Sequence, residues 1–138
     1  MMLKVYTAGY MTGKGSKRND WRIILVEATE FEAIRWLHPG VPKGVIPGKG
    51  NPNIYSARDI IQVRIADMIV AYFDLRIARG LGTAHEVGMA CALGKPIIMI
   101  DRSPEVGSLD FQRQCALSVV LHIQEAAEII SFAAQGLS

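Results

Sequence analysis

The chain has 138 residues, half of them apolar, with 20% charged residues and a net charge of +2. That length suits one domain with a real core, and no stretch approaches the roughly 20 apolar residues of a membrane span. The small charge, with no basic helix interleaved with aromatics, argues against a nucleic-acid polymer as partner.

The opening residues, Met1-Met2-Leu3-Lys4-Val5-Tyr6, lead directly into a strand over Leu3 to Ala8 and lack the layout of a signal peptide. The expectation is a soluble cytoplasmic protein with no membrane partner. A glycine-rich loop from Gly9 to Asn19 follows, then a predicted helix from Trp21 to about Leu37, capped by Asn19 or Asp20. Lys14, Lys17, Arg18 and Arg22 cluster after the first strand, with Lys43, Lys49 and Arg58 later in the same half. This uneven placement suits an anionic small ligand.

His38 to Asn53 contains four prolines and four glycines, and reads as a long surface loop with at most one short strand around Val41 to Ile46. Long loops in compact domains are often functional. A helix from about Tyr55 to Ala66 carries Ile60, Ile61, Arg64 and Ile65 at helical spacing. Asp67 to Phe73 is a continuous apolar run, followed by polar residues to Arg79 and the turn signal Gly80-Leu81-Gly82. A helix then runs to Gly94, and Lys95-Pro96 leads into the apolar run Ile97 to Asp101. Strand, loop, helix and strand in that order make a βαβ unit with parallel strands buried on both faces. A loop from Arg102 to Asp110, a short helix to Ala116, a strand from Leu117 to Ile123 and a helix from Gln124 to Ala134 complete the chain.

This pattern predicts an α/β fold: residues 1–138 as a single doubly wound, flavodoxin-like domain with about five parallel strands. Ligands of such sheets sit beyond the carboxyl ends of the strands, where Glu86 in Gly82-Thr83-Ala84-His85-Glu86-Val87-Gly88-Met89-Ala90 would stand. Two readings of Glu86 are open. Thr83-x-x-Glu86 fits a capping box, which accounts for the residue by local pattern alone. Equally, a helix N-terminus favours an ionised carboxylate, the state a nucleophile needs. Asp59, on the preceding helix, reaches the same edge of the sheet, so two carboxylates could face one ligand. Such a pair suits glycosidic bond cleavage; singly, Asp59 is an ordinary acid in the first turn of its helix.

Other chemistries fall away. Gly80-Leu81-Gly82-Thr83-Ala84-His85 begins like a dinucleotide fingerprint but has His where the third Gly belongs. Gly9-Tyr10-Met11-Thr12-Gly13-Lys14-Gly15 and Gly44-Val45-Ile46-Pro47-Gly48-Lys49-Gly50 both miss the phosphate-loop pattern. A phosphorylated receiver domain needs acids where Tyr6-Thr7-Ala8 stands, and Asp74 alone does not suffice. His38, His85 and His122 are scattered, so no metal is assigned. No other cofactor is implied. Cys91 and Cys115 read as small buried hydrophobes outside any disulfide framework.

Taken together, Val5-Tyr6-Thr7-Ala8-Gly9, Asp59, the Gly-Thr-x-x-Glu-x-Gly-x-Ala pattern of Gly82 to Ala90, and Gly94-Lys95-Pro96-Ile97-Ile98 resemble the nucleoside 2-deoxyribosyltransferase family. The resemblance spans about Leu3 to Asp101. It implies that Glu86 attacks C1′ of a 2′-deoxyribosyl group to form a covalent glycosyl enzyme, that Tyr6 orients Glu86, and that Asp59 handles the departing and arriving base. It also implies a homo-oligomer whose neighbouring subunits complete the site. A nucleoside or nucleoside 5′-monophosphate, with a possible acceptor nucleobase, would be the partner.

The family includes 2′-deoxynucleoside 5′-monophosphate N-hydrolases, so the resemblance fixes the bond broken and leaves the acceptor open. Transferases of the family usually carry Asp six residues before the nucleophile, where this chain has Gly80. Thr12, Lys14 and Ser16, beside glycines, could hold a 5′-phosphate through backbone N–H groups and cations, or form a solvated basic loop. Arg22 would join that pocket or anchor Trp21 in the core. Gly9, Gly82 and Thr83 complete the expected substrate contacts.

Overall fold

The computed structural model describes residues 2–9, 20–29, 33–39 and 52–136. Among the described residues five strands, β1 (Leu3–Ala8), β2 (Ile34–Leu37), β3 (Met68–Phe73), β4 (Ile97–Asp101) and β5 (Ser118–Val120), alternate with five helices. The helices are α1 (Asp20–Ala28), α2 (Pro52–Ile65), α3 (Leu81–Ala92), α4 (Asp110–Cys115) and α5 (Ile123–Gln135). All strand pairings are parallel, in the order β2-β1-β3-β4-β5. This is the expected doubly wound, flavodoxin-like arrangement, with the chain reversing its direction of travel between β1 and β3.

The central strands are apolar because both their faces are covered. Every residue of β3 and β4 is buried. The two-residue period of β1 sends Leu3 and Val5 to one side, where they pack with Trp21 and Leu25 of α1 and Ala126 and Ile130 of α5. Tyr6 and Ala8 go to the other side, against Val63 of α2 and Val87 and Ala90 of α3. Trp21 stacks on Tyr72 with ring centroids 4.7 Å apart. A Cβ on Gly9 would meet the Trp21 ring at 2.5 Å, so glycine is needed where the chain leaves β1.

The structure shifts several of the expected boundaries. The first helix ends at Ala28 instead of reaching Leu37, and Ile34–Leu37 forms β2. Ile34 and Leu37 are three apart and both buried, a spacing that reads as helical; in β2 they face opposite sides of the sheet, and pairing with β1, Leu3 with Ile34 through Tyr6 with Leu37, decides it. The short strand expected at Val41 to Ile46 lies outside the described residues. The last strand stops at Val120, because the Glu125 carboxylate accepts the His122 N–H and starts α5 early. Cys91, expected to be buried, is exposed, and Cys115 is half-buried.

The end of α3 follows from its sequence. Gly94 adopts φ +70°, its N–H donates to Cys91 O and the Lys95 N–H to Ala90 O, closing a Schellman motif before Pro96. Lys95 Nζ then caps α2 by donating to Arg64 O and Ala66 O, each at 2.8 Å. Among the described residues no helix is long and apolar enough to cross a membrane.

Candidate active site

The alternation of β1 brings Tyr6 to the face covered by α2 and α3, and there it meets Asp59 of α2 and Glu86 of α3. The Tyr6 hydroxyl lies against the Glu86 carboxylate and favours its ionised form, although neither atom reaches full hydrogen-bond geometry. Among the described residues, Tyr6 OH, Glu86 Oε2, Asp59 Oδ1 and Gln62 Oε1 are buried oxygens with no hydrogen-bond partner. Buried polar atoms are rarely left so, and those of Tyr6, Glu86 and Asp59 lie within electrostatic reach of one another, which makes this group the candidate site.

Burial dominates the ionisation of this group. It raises Glu86 from 4.5 to about 7, with the Asp59 charge adding to the rise and Tyr6 and Arg22 opposing it. Burial also raises Asp59, against the pull of Arg58 and Arg22. Tyr6 is raised far above its ordinary value by burial and then by Glu86, so its hydroxyl stays protonated.

The local geometry rules out the capping reading of Glu86. α3 begins at Leu81, two residues before Thr83, because Gly80 takes φ +71° as N-cap and its carbonyl accepts the Ala84 N–H at 2.8 Å. Thr83 is therefore the third helical residue and Glu86 the sixth, too far along to reach a free N–H. No acid occupies the first turn of either α2 or α3, so the first-turn placement expected for Asp59 and Glu86 is also corrected. The helix dipole gives neither carboxylate first-turn support.

Other acids at this edge of the sheet are engaged. Asp74, after β3, takes both Arg76 guanidinium nitrogens at 2.9 Å, which hold its carboxyl below the usual range. Asp101, ending β4, is paired with Arg113 and accepts the Ser103 N–H.

Thr7, one residue beyond Tyr6, faces α1. Buried Arg22 donates from Nε to Thr7 Oγ1 at 2.9 Å, and from one terminal nitrogen to Thr7 O and Gly9 O at 3.1 and 3.0 Å. The Thr7 hydroxyl in turn lies 2.6 Å from His38 Nδ1. Burial and Arg22 lower the His38 pKa, favouring the neutral ring. Arg22 thus clamps the end of β1 and stacks over Trp21 at 4.4 Å, while its charge reaches both carboxylates.

Of the expected substrate contacts, Gly9 lies at this clamp, Thr83 is buried in α3 and Gly82 is exposed beside open space. Thr12, Lys14 and Ser16 lie outside the described residues. Sequence reasoning missed Gln62, whose position three residues after Asp59 puts it on the same helix face. It also missed Thr7 and His38, which carry no local signal of their pairing.

The sequence profile described as nucleoside 2-deoxyribosyltransferase matches residues 5–117. The chain belongs to the nucleoside 2-deoxyribosyltransferase family. Solved structures of this family's fold agree with the architecture. A conserved protein from Enterococcus faecalis V583 superposes with a TM-score of 0.77 at 18% identity, over 96% of this chain and 99% of that one. A CMP N-glycosidase from Clostridium botulinum gives 0.61 at 16% identity, over 94% and 98%. A 2-deoxyribosyltransferase from Bacillus psychrosaccharolyticus gives 0.62 at 16% identity, over 90% of each chain. A comparison with curated protein sequences finds no match.

Proposed function

We propose that this protein cleaves the N-glycosidic bond of a 2′-deoxynucleoside through Glu86 and transfers the 2-deoxyribosyl group to a second nucleobase. The observation that carries this reading is the convergence of two buried carboxylate oxygens without partners, Glu86 Oε2 and Asp59 Oδ1, beside the Tyr6 hydroxyl. Ionised Glu86 attacks C1′, the bond to the base nitrogen breaks, and its electron pair leaves with the base. Asp59, whose pKa burial raises, supplies the proton the departing base needs. The second half-reaction reverses these roles, with the acceptor base displacing Glu86 from C1′. Tyr6 holds the Glu86 anion in place.

A second reading replaces the acceptor base by water, giving a nucleoside 5′-monophosphate N-glycosidase. It is favoured by Gly80, which stands where transferases usually carry Asp; its φ of +71° and the 3.0 Å approach of Phe73 to a Cβ there disfavour any side chain. A nucleotide-binding module without turnover is the remaining alternative. Chromatography of a deoxynucleoside, or its 5′-monophosphate, with and without a free base separates them, with Glu86→Ala as blank. A new deoxynucleoside formed only with acceptor establishes transfer. Free base with deoxyribose 5-phosphate establishes hydrolysis, and the absence of Glu86-dependent product favours the binding module.

The proposal includes a homo-oligomer. It rests on the family resemblance; Leu81, at the start of α3, and Phe132, on α5, are exposed apolar side chains on opposite faces of the sheet. Light scattering tests this: a strictly monomeric, fully active protein removes it.

A further inference from the structure

At the opposite edge of the sheet from Glu86, the last turns of α3 and α4 bring the molecule's two cysteines together. Cys91 and Cys115 line one cavity of about 380 Å³, with Gly94, Lys95, Pro96 and Leu117 around them. The backbone fixes this arrangement from both sides. The Schellman turn at Gly94 folds the chain after Cys91 back toward β4, and the Leu117 N–H donates to Ile97 O at 2.8 Å, holding the chain after Cys115 against the start of that strand. α3 and α4 pack together, and Cys115 sits partly buried against the core on that side of the sheet. Cys91 lies near enough to raise the Cys115 pKa. Cys91 is open to solvent.

We propose that Cys91 and Cys115 form a reversible dithiol–disulfide site that staples α3 to α4 when the protein meets a disulfide oxidant such as glutathione disulfide. Cys91, the exposed member, reacts first: its thiolate attacks one glutathione sulfur and expels a glutathione thiolate, leaving a mixed disulfide. Cys115 then attacks the Cys91 sulfur, forming the Cys91–Cys115 bond and expelling the second glutathione. The protein loses two electrons and two protons, and glutathione disulfide becomes two glutathione molecules. Excess thiol reductant reverses both steps. The cavity gives Cys115 room to turn toward Cys91, and the site lies at the far end of α3 from the carboxylates.

The test incubates the full chain with glutathione disulfide and reads the intact mass and a non-reducing peptide map. The proposal predicts a protein lighter by two hydrogens, without bound glutathione, and one cross-linked peptide joining Cys91 to Cys115. Cys115→Ser should stop at a stable single glutathione adduct on Cys91. Oxidised wild type should melt roughly 5–10 °C higher than reduced, as expected for closing a loop of this length. Glutathione retained on both cysteines, two unreacted thiols, or disulfide-linked dimers overturns the proposal; these readouts use wild type and do not depend on the variant folding.

Discussion

The Tyr6 hydroxyl lies against the Glu86 carboxylate and stabilises its anion, while burial pulls the same group the other way and leaves it titrating at about 7. The two residues come from β1 and α3, far apart in sequence, and meet because β1 alternates and α3 covers the face that receives its even-numbered residues.

Removing the hydroxyl should therefore change the pH dependence more than the maximum rate. Tyr6→Phe keeps the ring in its buried place but withdraws the stabilisation of the anion. The acid limb of kcat/KM, which in wild type should rise through about pH 7 as Glu86 ionises, should move to higher pH. If that limb moves by about one pH unit, the rate at pH 7 falls by about fivefold and recovers at pH 9. An unchanged profile would show that Tyr6 does not tune Glu86.

The same burial costs stability. Glu86 binds its proton more tightly when folded than when unfolded, so the folded state loses stability as pH rises from about 4.5 to about 7 and stays lower above that. Glu86→Gln removes the ionisation while keeping the shape. Chemical denaturation at pH 8 should find the variant more stable by about 2 kcal/mol, discounted for partial exposure, with the difference closing near pH 4. A variant less stable than wild type at pH 8 would mean that the carboxylate is compensated by the fold.

Gly9→Ala should be costly for a packing reason. The new methyl would lie 2.5 Å from the Trp21 ring, itself stacked on Tyr72, so the indole or the end of β1 must shift. A loss of about 1–3 kcal/mol is expected, with altered tryptophan fluorescence. Wild-type stability would show that the ring has freedom to move.

Arg22→Lys tests the clamp on β1. Lysine keeps the charge but cannot reproduce the forked donation to Thr7 Oγ1, Thr7 O and Gly9 O. Leaving buried carbonyls unpaired should cost about 2 kcal/mol or more, read as a lower midpoint in urea. A neutral result would place Arg22's importance in its charge alone.

The sequence carried the layered fold because the apolar runs of β3 and β4 and the turn signals around them are unambiguous. It concealed β2, since Ile34 and Leu37 keep helical spacing and only pairing with Leu3 to Tyr6 marks the segment as a strand. Glu86 is visible through its motif, but its spacing from Thr83 imitates a cap because Gly80 starts the helix earlier than the Thr83 signal suggests. Gln62 was within reach of periodicity from Asp59. The Arg22–Thr7–His38 chain was not, because nothing local distinguishes the arginine that folds inward from the basic residues around it.

The most direct test is the rate of base release from a 2′-deoxynucleoside by Glu86→Gln against wild type, at pH 8, where wild-type Glu86 is mostly ionised. The amide preserves shape and fold but cannot form the ester with C1′, so a loss of about a thousandfold or more is expected if Glu86 is the nucleophile. Turnover at the wild-type rate would contradict that role.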